Sequence, residues 1–185
     1  MLAKNIEILK SGGVGVIPTD TIYGLACSVF KSEAILRMFA VKGRAENKPP
    51  VVIISAISDL EKFGAKLSKE HFEFMKKYWP GKVTIIFEIS KDFEYLDQGL
   101  GLAVRLPADQ YVLEFLKETG PLATTSANSQ GQPPAKNISE AKNYFGDNID
   151  FYEDEGNLES LPSTLVDLRG EEIKILREGE VKILP

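Results

Sequence analysis

The sequence predicts an α/β domain built on a mixed sheet. Two observations carry this: apolar runs of about five residues alternate with amphipathic segments of helical length, and the turn Leu168-Arg169-Gly170-Glu171 sits between two strand-like runs that it would fold into an antiparallel hairpin. Its 43% hydrophobic and 26% charged residues lie well outside the composition of disordered chains. With 185 residues, the expectation is one domain over 1–185.

Strands are predicted at Val14 to Pro18, Val51 to Ser55, Val83 to Ile89, Leu102 to Leu106, Leu122 to Thr125, Ser163 to Leu168, Ile173 to Leu176 and Val181 to Leu184. Several are rich in Val and Ile without strict alternation, as in strands covered on both faces. Helices are predicted at Ser32 to Lys42, Ser68 to Tyr78, Asp109 to Thr119 and Ser139 to Phe145. The first has Ser32 as N-cap, an apolar stripe of Ile35, Leu36, Phe39 and Ala40, and Gly43 at the C′ position. The third stops at Gly120-Pro121. Asn128 to Asn137 is too short for an interdomain linker and reads as a functional loop able to close over a site.

Composition excludes several chemistries. Lys plus Arg number 22 against 27 Asp plus Glu, a net charge of −5, so the global basic excess of a nucleic-acid-binding protein is missing and such binding is expected to be weak if present. Cys27 has no partner for an internal disulfide, and one Cys with one His cannot supply a structural zinc site. His71 sits in the polar run Ser68-Lys69-Glu70-His71 at a helix start, a poor setting for a Ser-His-Asp triad. No window approaches the roughly 18 apolar residues of a membrane span, and the start of the chain carries charge where a signal peptide would be apolar. A cytoplasmic protein without membrane contact is expected.

Four segments exceed what packing explains. In Ile17-Pro18-Thr19-Asp20-Thr21-Ile22-Tyr23-Gly24-Leu25 a strand runs into two hydroxyls, a carboxylate and a phenol, where α/β sheets gather ligands; a capped turn explains it equally well. Lys42-Gly43-Arg44-Ala45-Glu46-Asn47-Lys48-Pro49-Pro50 offers three cations suited to a polyphosphate, or simply cations at a helix C-terminus. Leu122-Ala123-Thr124-Thr125-Ser126-Ala127-Asn128 is a second strand ending in hydroxyls and an amide, fit for an anion or for a local turn. Pro162-Ser163-Thr164-Leu165-Val166-Asp167 with Ile175-Leu176-Arg177-Glu178-Gly179 adds Ser163 and Arg177. A Walker loop is absent, and Gly99-Leu100-Gly101 lacks the third glycine of a dinucleotide fingerprint.

In order, these segments resemble the YrdC-domain family, the threonylcarbamoyl-AMP synthases of the TsaC type. The matching motifs are Pro18-Thr19-Asp20-Thr21-Ile22-Tyr23-Gly24-Leu25, Lys42-Gly43-Arg44 with Lys48-Pro49, Trp79-Pro80-Gly81, Val104-Arg105-Leu106-Pro107, Thr125-Ser126-Ala127-Asn128, Pro162-Ser163-Thr164 and Leu176-Arg177-Glu178-Gly179. Pro50, Lys82-Val83, Gln130 and Ile53 depart from the family's pattern. The resemblance implies a YrdC-like open twisted sheet of parallel and antiparallel strands, flanked by helices, with a concave, positively charged cavity. It implies formation of threonylcarbamoyl-AMP and pyrophosphate from L-threonine, bicarbonate and ATP, Mg²⁺ arriving with the ATP and no metal held by protein side chains. Separate enzymes would then transfer the threonylcarbamoyl group to tRNA. By position, Thr21, Arg105, Thr125 and Ser163 would hold threonine; Arg44, Lys48, Gly101, Ala127, Ala135 and Arg177 would hold ATP; Lys42, Arg44, Ser126 and Asn128 would form the catalytic set around the phosphates. A paralogue of the same fold without synthase activity, or a module for double-stranded RNA, are the competing expectations.

Overall fold

The structure, a computed structural model, describes residues 2–43, 49–97, 99–170 and 172–184. Its helices are α1 (Leu2–Lys10), α2 (Ser32–Lys42), α3 (Lys69–Tyr78), α4 (Glu94–Asp97), α5 (Gln110–Thr119) and α6 (Ile138–Phe145). The strands are β1 (Val14–Ile17), β2 (Gly24–Ser28), β3 (Val51–Ile53), β4 (Val83–Phe87), β5 (Leu102–Arg105), β6 (Leu122–Ser126), β7 (Phe151–Tyr152), β8 (Thr164–Asp167) and β9 (Lys174–Arg177). They form one sheet in the order β7-β1-β2-β6-β3-β5-β4-β8-β9. The pairs β1–β7, β3–β5 and β4–β8 are parallel and the others antiparallel. The sheet is therefore mixed, as the sequence predicts, and the β8–β9 hairpin is antiparallel with an irregularity between Leu165 and Val166.

Apolar side chains cover the sheet on both faces. On one, Ile6 and Leu9 of α1 and Val112, Phe115 and Leu116 of α5 pack over Ile17, Ala26, Ile53 and Leu122. On the other, α2, α3 and α6 lay Ile35, Met38, Met75, Ala141 and Phe145 over Val16, Leu25, Val52, Val104 and Ala123. Full burial of each larger apolar side chain contributes about 1.5–3 kcal/mol, which accounts for the Val- and Ile-rich runs of β3 and β4. Cys27 is one of these core groups, buried without a disulfide.

Several boundaries differ from the prediction for identifiable reasons. β2 escaped the sequence reading because Gly24, Ala26, Cys27 and Ser28 carry little strand propensity; its fully buried centre between β1 and β6 selects such small residues. α1 also escaped, although Ile6 and Leu9, one turn apart, form its buried face. Ser32 is the first helical residue rather than the N-cap, which is Lys31, while Gly43 closes α2 in the left-handed conformation at φ 66°. Residues Val181 to Leu184 are not a strand; this segment lies back on the fold, its Val181 carbonyl accepting from Thr164 Oγ1 at 2.5 Å. His71 caps α3 with Ser68, its Nδ1 accepting from the Ser68 N–H at 3.1 Å. Among the described residues no helix is long and apolar enough to cross a membrane.

Candidate active site

A polar region lies between the end of the sheet at which β1 and β6 finish and β2 begins and the opposite end, at which β5 finishes and β4 and β8 begin. β1 gives way at Pro18 to a turn that must reverse the chain into β2. Thr19 builds that turn: its Oγ1 donates to the Ile22 carbonyl at 2.6 Å and accepts the N–H groups of Thr21 and Ile22, each at 3.3 Å. Tyr23 fixes the exit. Its ring is fully buried, and its hydroxyl donates to the Gly156 carbonyl and accepts the Glu155 N–H, both at 2.9 Å.

The third polar strand end is Ser126, opposite Gly24 of β2 in the antiparallel register. The chain then turns sharply through Ala127 and Asn128. Lys42, the last residue of α2 and buried, reaches into this turn: Nζ donates to Ser126 O (2.5 Å), Asn128 Oδ1 (2.9 Å) and Asn128 O (3.0 Å), with Ser126 Oγ at 3.3 Å. Ser126 Oγ donates to Asn128 Oδ1 at 2.6 Å, and Asn128 Nδ2 holds the carbonyls of Ser129 and Gln132. Charge-assisted bonds of this kind are about twice as strong as neutral ones, so one buried ammonium sets the shape of the turn.

Across the opening, Ser163 precedes β8. Its hydroxyl lies 2.8 Å from Thr84 Oγ1, and Arg177 on β9 donates from Nη2 to the Ser163 carbonyl at 2.9 Å. Arg105 ends β5 and is buried; its Nη2 lies 2.8 Å from Asp20 Oδ1 and 3.5 Å from Thr21 Oγ1. Burial pushes the Asp20 carboxyl above its ordinary range, opposed by the charges of Arg105 and Lys82. Burial likewise lowers the Arg105 guanidinium, opposed by Asp20.

Together these segments enclose a cavity of about 240 Å³, lined by Thr21, Arg105, Thr125, Ser126, Ser163 and Arg177 with apolar walls from Pro49, Val51 and Pro162. The structure thus brings together all four residues expected to hold threonine, along with Ser126 and Arg177. Lys42 and Asn128 stand directly behind Ser126. Ala127 and Ala135 are buried beside them, and their amides are already committed: Ala127 N–H donates to the Tyr23 carbonyl and Ala135 N–H to the Ala127 carbonyl, both at 2.9 Å. Arg44 and Lys48 lie outside the described residues.

Gly101 is not brought to this cavity. It precedes β5 while Arg105 ends it, four residues and about 13 Å of strand away. There, at φ 83°, it lines a separate hollow with Glu88, Asp167 and Arg169. Its glycine is explained by packing, since a Cβ would fall 2.7 Å from Arg169 Cδ and 3.0 Å from the Phe87 carbonyl oxygen. Sequence reasoning in turn left Asp20 and Thr84 without roles. Asp20 was visible as the carboxylate in a polar strand end, but its partner is fixed only by the topology.

A family model for Sua5, YciO and YrdC, described as "Telomere recombination", matches residues 7–179. The chain belongs to this family. Among Sua5/YciO/YrdC relatives, a Mycobacterium tuberculosis protein is 31% identical over 183 residues, covering 97% of this chain and 84% of its own. A protein of Methylobacillus flagellatus named threonylcarbamoyl-AMP synthase is 34% identical over 172 residues, covering 91% of this chain and 96% of its own. The solved structure of P. abyssi Sua5 complexed with L-threonine superposes with a TM-score of 0.89 at 27% identity, over 96% of this chain and 54% of that one. The present chain spans about half of that protein.

Proposed function

We propose that this protein is an L-threonylcarbamoyladenylate synthase, a nucleotidyltransferase that makes threonylcarbamoyl-AMP and pyrophosphate from L-threonine, bicarbonate and ATP for the threonylcarbamoyladenosine modification of tRNA. One observation carries the reading. Thr21, Arg105, Thr125 and Ser163, which the family resemblance assigns to threonine, come from four separate segments and converge on a single cavity.

The cavity's size supports a division of the substrates. At about 240 Å³ it falls below the roughly 300–1,000 Å³ typical of drug-sized ligand sites. It suits an amino acid, with Arg105 as the counter-charge for the carboxylate and the hydroxyls of Thr21, Thr125 and Ser163 as polar contacts. The nucleotide would lie across the mouth, toward Arg177, Ser126 and Pro49. Mg²⁺ belongs to the substrate as Mg·ATP, where it would neutralise phosphate charge and assist the leaving group.

No protein nucleophile is needed. The neutral threonine amine attacks CO₂ derived from bicarbonate and gives up a proton, which the hydroxide released from bicarbonate takes up as water; the resulting N-carboxythreonine carboxylate attacks the α-phosphate and expels pyrophosphate. The protein contributes positioning and neutralisation of growing negative charge. Arg44 and Arg177 would supply charge at the phosphates, while Lys42 would act there through the Ser126–Asn128 turn. Arg44→Ala would lower the rate by far more than twofold. An acidic chain also fits a protein that handles the nucleotide and passes its product to separate transfer enzymes.

The test is to incubate the purified protein with ATP, Mg²⁺, threonine and bicarbonate and search for the mixed adenylate by mass spectrometry. Product that disappears when either threonine or bicarbonate is omitted supports the assignment. Steeply salt-dependent binding of double-stranded RNA without turnover would overturn it.

A further inference from the structure

We propose that Asp20 is a positioning residue for threonine, holding Arg105 in the orientation that receives the substrate carboxylate. This rests on the synthase reading of the cavity.

Asp20 belongs to the turn between β1 and β2, and Arg105 ends β5. β6 and β3 stand between β2 and β5, and three strand spacings of about 4.8 Å separate them by about 14 Å. Arg105 also stands level with Leu122, at the other end of β6 from the Ser126 level where the turn leaves the sheet, so for the two side chains to meet at 2.8 Å the turn must fold over the face of the sheet. The ion pair is therefore the strut that ties the turn carrying Thr21 to Arg105, both of which line the cavity.

The pair is also dry. The Arg105 and Asp20 side chains are 8% and 5% exposed. Neither Asp20 oxygen nor Arg105 Nε has a hydrogen-bond partner among the described residues, so the contact is ionic rather than a well-aligned hydrogen bond. A fully bonded pair would read as structural. Here the guanidinium is steered by charge from one side while it lines the cavity on the other. The same Nη2 approaches Thr21 Oγ1 at 3.5 Å, which couples the hydroxyl next in sequence to the same strut. Arg177 is a second cation on the cavity, and its field also acts on Arg105. A single carboxylate between the turn and Arg105 keeps the guanidinium from swinging toward bulk water and leaves its other donors for a ligand carboxylate.

The chemistry separates positioning from charge compensation. Asp20→Asn keeps the shape and removes the charge. Asp20→Glu keeps the charge and displaces it by one methylene. Positioning predicts that both weaken threonine; compensation alone predicts that Asp20→Glu behaves as wild type.

The experiment measures threonine affinity by calorimetry, with KM for threonine and KM for ATP in the adenylate assay and circular dichroism as the folding control. Asp20→Asn is expected to weaken threonine binding by tenfold or more and Asp20→Glu by threefold or more, each leaving KM for ATP within twofold. Threonine affinity within twofold of wild type in either folded variant would overturn the assignment. So would an equal rise in both KM values, or failure of both variants to fold, since each would assign the pair to the fold alone. Wild-type protein that binds threonine but makes no adenylate would overturn the synthase reading and leave the Asp20 comparison readable.

Discussion

Lys42 Nζ stands 2.9 Å from Asn128 Oδ1 and 3.0 Å from the Asn128 carbonyl oxygen, inside the turn that leaves β6. One charged residue thereby joins the C-terminus of α2 to the strand end that carries Ser126.

Because the Lys42 ammonium is enclosed by oxygens of Ser126 and Asn128, Lys42→Met would orphan buried carbonyls at about 1–3 kcal/mol each. The expected result is a melting temperature lower by several degrees and adenylate synthesis reduced at least a hundredfold. Asn128→Ala acts on the same turn. A double-mutant cycle read from initial rates should give a combined loss well short of the product of the two single losses.

Gly179 packs against the backbone that carries Ser163. A Cβ there would fall 2.2 Å from the Pro162 carbonyl oxygen and 2.5 Å from Ser163 C and Thr164 N. Backbone cannot swing aside, so Gly179→Ala should cost roughly 1–3 kcal/mol as overpacking and lower threonine-dependent turnover tenfold or more by displacing Ser163 and Arg177. Gly170→Ala, where a Cβ meets nothing within 4 Å, serves as the control and should leave turnover unchanged.

Tyr23→Phe removes a hydroxyl that satisfies both the Glu155 N–H and the Gly156 carbonyl. Stability should fall by about 1–3 kcal/mol. Amide hydrogen exchange at Glu155 should rise well beyond the change seen in β4, which lies across the sheet.

Asp150 supplies a pH-dependent prediction. Burial alone would raise its pKa, but hydrogen bonds from Arg37 and the Val14 N–H outweigh it and hold the carboxyl below its ordinary value of 3.8. With a depressed folded pKa, the stabilisation is fully present above the unfolded value and lost as pH falls through the folded one. The pair is partly exposed, which limits it to under about 1 kcal/mol. Urea unfolding should separate wild type from Asp150→Asn at pH 6, and the two should converge as the pH is taken well below 3.8.

Much of the site was legible in the sequence because strand ends are. Thr21, Thr125 and Ser126, and Ser163 each sit where an apolar run meets hydroxyls; these junctions come from both ends of the sheet, and the fold brings them to one cavity. Two kinds of information were not local. The Asp20–Arg105 contact depends on a strand order in which β6 and β3 lie between their elements, which no pattern along the chain encodes. Gly101 lies near Arg105 in sequence but at the opposite end of the same strand, where it lines a different hollow. β2 shows a third limit: its small residues are dictated by tertiary crowding and carry no strand signal of their own. Lys42, Ser126 and Asn128 stood out along the chain, but their engagement with one another needed the helix–strand geometry.

The most direct test of the proposed chemistry is the release of pyrophosphate from Mg·ATP, followed continuously while threonine and bicarbonate are supplied singly and together. Release that requires both, with one labelled bicarbonate carbon retained in the adenylate per pyrophosphate, is the predicted result. Release at the same rate with either one withheld would contradict it.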